Sequence, residues 1–276
     1  MSTNRTPLSL AIEALRSLHD GDRGVAETIA LGKEAIPPLR ELLFEREPSG
    51  LFETRRRAVE ALASLGAYKT LVDFLESSPN IADPVERLGE DAVINAAARA
   101  LRDLREPCVF RLLISLIERR GALPGVVMAL GGFRRAEAIP HLINALAEDE
   151  SRAEAEAALR EVGALAHDSL IVAALPDPTP TDRESESRLR QRRSALALLV
   201  QSGIRPREWP ALRNIMDDRD PRLALLACRL CLTCAPKSDR RKAIARLRSL
   251  LPGADIPLRV DIEQSLAQHL ERQKEG

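Results

Sequence analysis

The chain has 276 residues, 41 basic against 41 acidic, and is 45% hydrophobic but only 3% aromatic. That hydrophobic fraction excludes wholesale disorder, and with five Phe, one Tyr and one Trp the core must be built from aliphatic side chains and Ala, which disfavours a β-sandwich or barrel and suits closely packed helices. Met1 to Leu18 lacks the apolar region of a secretory signal, and the longest apolar runs, such as Ala195 to Val200, fall far short of the roughly 20 residues of a membrane span, so a soluble, cytoplasmic protein is expected.

In chain order, Pro7 to His19 has the spacing of an amphipathic helix. A unit then recurs. Its Ala/Leu-rich first helix is read at Arg57–Gly66, Ala92–Leu104, Arg152–Gly163, Arg193–Gly203 and Asp220–Leu230. Its second helix begins near Glu34, Ala67, Pro107, Ala136, Ala166, Arg207 and Asp239, which makes seven pairs. Gly32, Gly66, Gly163 and Gly203 follow the last periodic residue, where a left-handed backbone commonly ends a helix, and Gly131-Gly132 is read as another terminator. Pro37, Pro107, Pro140, Pro210 and Pro221 fall at helix starts, where the missing amide is no loss. The spacing breaks at residues 47–52, 78–90 and 176–187, which read as solvent-facing loops, the last a long loop or hinge. Residues 1–21 and 256–276 read as terminal caps of a single array spanning 1–276.

Glu137-Ala-Ile-Pro-His-Leu-Ile-Asn-Ala-Leu146 and Asp220-Pro-Arg-Leu223 carry the second-helix pattern and the inter-repeat turn of the HEAT-repeat superfamily, and the chain resembles its short bacterial version, the HEAT-like repeats of phycobilisome lyases, over about residues 22–270. The resemblance implies an all-α, right-handed α-solenoid whose second helices line a concave face. It does not imply one task, because this scaffold hosts many.

Candidate chemistry is sparse. Cys228, Cys231 and Cys234 have metal-site spacing, but the fourth cysteine, Cys108, lies about 120 positions away and no His lies between His167 and His269. The three read instead as the packed stripe of one helix, with reduced thiols. Deoxyhypusine hydroxylase, a HEAT-repeat enzyme, holds two irons through several His-Glu pairs; this chain has none, and His19-Asp20 and His167-Asp168 read as helix-end residues. Nucleophile-elbow and phosphate-loop motifs are absent. No metal or cofactor is expected, and the protein reads as a non-enzyme.

Charge is unevenly spread. Residues 183–248 hold 17 Lys/Arg against seven Asp/Glu, densest at Arg188, Arg190, Arg192 and Arg193 and joined by Arg205 and Arg207, a candidate phosphate-binding patch. HEAT-like alkylpurine DNA glycosylases pair such a groove with aromatic residues; Trp209 alone stands in this basic region and is read as a core anchor, which disfavours nucleic acid. The leading expectation is a protein-interaction scaffold or adaptor whose second helices contact a partner through Arg40, Glu41, Asp73, Glu76, Arg111, Ser115, His141, Asn144, Arg213, Asn214 and Arg246. The alternatives are a phycobilin lyase-like accessory role and phosphate-backbone binding.

Overall fold

The computed structural model describes residues 6–46, 52–177 and 184–275. Among these there is no strand, and the chain forms α1 (Pro7–Arg16), α2 (Gly21–Leu31), α3 (Ile36–Phe44), α4 (Glu53–Ser64), α5 (Tyr68–Glu76), α6 (Pro84–Ala100), α7 (Pro107–Arg120), α8 (Pro124–Phe133), α9 (Ile139–Ala145), α10 (Arg152–Val162), α11 (His167–Ala174), α12 (Glu186–Ser202), α13 (Trp209–Leu212), α14 (Pro221–Cys234), α15 (Lys237–Leu250) and α16 (Ile256–Glu275). Seven pairs therefore run from α2–α3 to α14–α15, and every expected second helix lies within two or three residues of its place. In the sixth pair, α13 continues as a 3-10 segment, Arg213–Asp217. The fold is all-α, made of stacked helix pairs as in an α-solenoid.

Two compact units divide within α9, Met1–His141 and Leu142–Gly276. In the first, α2, α4, α6 and α8 pack successively, as do α3, α5 and α7. Leu39, Leu43, Leu62, Leu71, Phe74, Ile94 and Leu113 are fully buried between the two rows, and α1 packs on α2 and α4. In the second, α10, α12, α14 and α16 form one row, while the 3-10 segment and α15 pack beside it on α14. Leu196, Leu199, Leu212, Leu223, Ala227 and Leu247 fill its core.

The expected terminators Gly32, Gly66, Gly163 and Gly203 all have φ between 66° and 77°. The pair Gly131-Gly132 does not end a helix: both are buried inside α8, which stops at Arg134, in the left-handed region at φ 51°. The expected break at 78–90 is also too long. Asp83 Oδ1 accepts the Val85 and Glu86 amides at 2.9 Å and Pro84 takes the first helical position, so α6 starts seven residues before that break was expected to close. Residues 47–51 and 178–183 of the other two breaks lie outside the described residues, and Ser187 is already within α12, which Ser185 caps at the Arg188 amide.

Candidate partner-binding surface

Alternation of the second-helix pattern leaves the residues between the buried positions facing outward. Arg40, Glu41, Glu76, Arg111, Asn144, Arg213 and Asn214 are exposed, and Asp73, Ser115 and His141 are half-buried. Neighbouring α3 and α5 bring Arg40 and Asp73 to 3.9 Å, and the Arg40 guanidinium lies over Phe44 at 5.2 Å. Arg246 differs from the rest: its Nε donates to the Met216 carbonyl at 3.0 Å and its Nη2 to that of Asp218 at 3.2 Å, so it closes the carbonyl end of the 3-10 segment.

The dense arginine cluster is likewise internal. Arg188 donates to the Ala173 and Leu175 carbonyls at 3.1 and 2.8 Å and to Asp177. Arg190 donates to the Ala147 carbonyl at 3.1 Å and pairs with Asp149. Arg192 is 1% exposed; its Nε donates to the Ala174 carbonyl, and its two amino groups pair with Glu184 and Asp218 at 2.7 Å each. Arg193 pairs with Asp220 and Glu186. The first four members of the expected phosphate patch thus satisfy carbonyls and carboxylates at the ends of neighbouring helices. Arg205 donates to Glu208 at 2.6 Å, and Arg207 alone of the six is exposed without such a partner among the described residues.

The same device recurs elsewhere. Arg55 of α4 donates to the Leu43 carbonyl at the end of α3 and pairs with buried Glu90 at 2.6 Å, and Arg57 donates to the Leu15 and Ser17 carbonyls at the end of α1.

Cys228 and Cys231 are buried in α14, and burial pushes both thiols up to about 12; Cys234 donates to the Leu230 carbonyl at 3.1 Å. Protonated at neutral pH, the first two pack as small apolar groups. Trp209 is 2% exposed and its Nε1 donates to Asp239 at 2.9 Å.

One feature had no signal in the sequence. A groove of about 720 Å³ runs between the C-terminal ends of α10 and α12, lined by Leu159, Leu170, Leu198 and Ile204 with Arg160 and His167 among its polar residues. His167 Nε2 lies 2.9 Å from Glu208. Hydrogen bonding from His167, opposed by burial and aided by the Arg205 amide and side chain, holds the Glu208 carboxyl down at about 2. Because this value is depressed, the stabilisation is present above the ordinary 4.5 and is lost as pH falls from there toward 2. The urea midpoint of the wild-type protein is expected to drop across that window, and Glu208→Gln is expected to show a shallower drop; parallel curves would contradict it.

Paired helices in rows define a helical-repeat protein. More narrowly, residues 125–148 match the family model of the PBS lyase HEAT-like repeat, so the chain carries a HEAT-like repeat there. A similar solved structure is the complex of CpcE and CpcF of phycocyanin lyase from Nostoc sp. PCC7120, at 22% identity and a TM-score of 0.37, with 91% of this chain and 97% of that chain covered. No curated protein matches the chain. No helix among the described residues is long and apolar enough to cross a membrane.

Proposed function

We propose that this protein is a non-catalytic interaction scaffold that holds a protein partner on its second-helix surfaces. The observation that carries this reading is the division of labour among polar side chains. Arg111, Asn144 and Arg213 are exposed and hold no ion pair among the described residues, whereas several groups with chemical potential are engaged inward, His167 on Glu208, Asp239 on Trp209, and Cys228 and Cys231 in the core; Cys108 is an exposed thiol. Arg40, Asp73 and His141 extend the proposed contact set in the first unit and Asn144 and Arg213 in the second. Arg246 is assigned to holding the repeat together.

The test is affinity capture from native lysate, with and without nuclease, comparing wild type with Arg111→Glu/Arg213→Glu. Partner recovery is expected to collapse while stability stays within about 0.5 kcal/mol, as for surface substitutions generally. Arg246→Glu, which loses two charge-assisted bonds to carbonyls, is expected to cost about 1.5–3 kcal/mol. A double variant as unstable as Arg246→Glu, or full partner recovery by it, would overturn the assignment.

The match to the PBS lyase HEAT-like repeat favours one second reading, an accessory role in attaching bilins to phycobiliproteins, with the groove beside Arg160 and His167 as the place for a chromophore. Incubation with a bilin and an apo-phycobiliprotein decides it: absence of stable binding or transfer removes this reading.

A further inference from the structure

The groove between the C-terminal ends of α10 and α12 lies wholly within the second unit, and its form follows from how those helices end. Gly163 and Gly203 take the positive φ that stops each helix, and a Cβ placed on either would meet nothing within 4 Å, so bare backbone borders the space at two points. Leu159, Leu170 and Leu198, all buried, line it together with half-buried Ile204, and no aromatic ring does. Its volume of about 720 Å³ falls within the roughly 300–1,000 Å³ of small-molecule sites.

The titratable residues that line this groove are Arg160, His167 and Arg205, and no Asp or Glu is among them. The nearest acids are engaged. Glu156 accepts the Ser194 hydroxyl at 2.7 Å and Arg160 Nη2 at 3.3 Å, and Glu208 takes His167, the Arg205 amide and Arg205 Nε. Glu161 and Asp168, next in sequence to Arg160 and His167, do not line the space. Both arginines keep donors in reserve. Arg160 spends Nε on Gln201 and Nη2 on Glu156, which leaves Nη1, and Arg205 spends Nε on Glu208, which leaves both amino groups without a partner among the described residues. A guanidinium presents its N–H groups in a fork that matches a carboxylate. The aliphatic lining gives an alkyl chain its burial, whereas a flat conjugated ligand finds no ring to stack on.

We propose that this groove binds a small aliphatic monocarboxylate, its alkyl chain against Leu159, Leu170 and Leu198 and its carboxylate at the arginine rim. The inference goes beyond the scaffold reading and gives the groove a ligand other than the chromophore of the second reading. The test is isothermal titration calorimetry of the full chain with decanoate and, in parallel, with decyltrimethylammonium and with biliverdin. Decanoate is expected to bind saturably with a Kd below about 1 mM, and the cation of equal chain length at least about tenfold more weakly. Arg160→Met/Arg205→Met is expected to raise the decanoate Kd at least about tenfold through loss of charge-assisted hydrogen bonds. Ala164→Trp, at an exposed position on the groove, fills the space without changing charge; it is expected to give a similar loss and serves if the arginine variant unfolds. No saturable decanoate binding, equal binding of the cation, or unchanged affinity in Ala164→Trp would each overturn the proposal. So would biliverdin binding tighter than decanoate and lost in Ala164→Trp, which gives the groove to the chromophore. Partner capture from lysate by the wild type, retained alongside such a result, would leave the scaffold reading standing.

Discussion

Replacing Arg192 with methionine is expected to lower the unfolding free energy by about 3–5 kcal/mol, the range for removing one member of a buried ion pair. The guanidinium is 1% exposed and meets three acceptors from three elements: the Ala174 carbonyl closing α11, Glu184 ahead of α12 and Asp218 ahead of α14. Methionine fills much of the volume but leaves two partly buried carboxylates without the cation they share. Their mutual repulsion and lost hydrogen bonds, rather than the cavity, dominate the cost. Arg192→Met/Glu184→Gln/Asp218→Asn, which removes the uncompensated charges, is therefore expected to recover part of the loss. Trp209 is the only tryptophan and is buried in the same unit, so its emission during urea unfolding reports the transition directly. A change below about 1 kcal/mol, similar to an exposed control such as Arg207→Met, would show that water replaces the arginine without penalty.

The environment of Arg192 is not legible in the sequence. The repeat was legible because its determinants are local. Apolar spacing set the helix pairs, glycines took the positive φ that ends α2, α4, α10 and α12, and prolines sat in first turns. Even Trp209, Cys228 and Cys231 occupy the buried positions their types suggested, while Cys234 at the end of the stripe is half-buried. The role of an arginine is not local in this sense. Arg190 and Arg192 are two residues apart in a run that looks uniformly basic, yet one reaches a carbonyl 43 positions back and the other a carboxylate 26 positions ahead. A long side chain reaches the end of the neighbouring repeat as easily as it reaches solvent, and only the packing of α11, α12 and α14 decides between them. The excess of ten positive charges over residues 183–248 combines carbonyl-capping arginines with cations that stay exposed on α15. The error at Gly131-Gly132 has a related origin, since a glycine that ends a helix and one that admits a neighbouring helix look alike in sequence.

The second large effect is expected at such a helix-admitting glycine. Gly125 in the first turn of α8 lies so close to α6 that an added Cβ would sit 2.2 Å from the Asn95 carbonyl oxygen and 2.7 Å from the carbonyl carbon. The obstacle is backbone in the middle of a 17-residue helix, so no side-chain rotation relieves it. The Gly125 amide also donates to Asn95 Oδ1 at 2.7 Å, a bond that separation of the helices would break. Gly125→Ala is thus expected to destabilise the first unit by about 3 kcal/mol, overpacking offsetting the helix propensity that alanine would otherwise gain. One heptad on, Gly132 faces Arg102 in the same register, but its Cβ would be 3.0 Å from the Arg102 carbonyl oxygen. Near the end of α6 a shift of a few tenths of an ångström accommodates that contact, and Gly132→Ala is expected to cost about 1 kcal/mol. Thermal unfolding followed by circular dichroism tests the order. If Gly125→Ala were neutral or stabilising, the α6–α8 crossing would have to be looser than its backbone spacing shows, and the small residue there would be incidental to how these repeats stack.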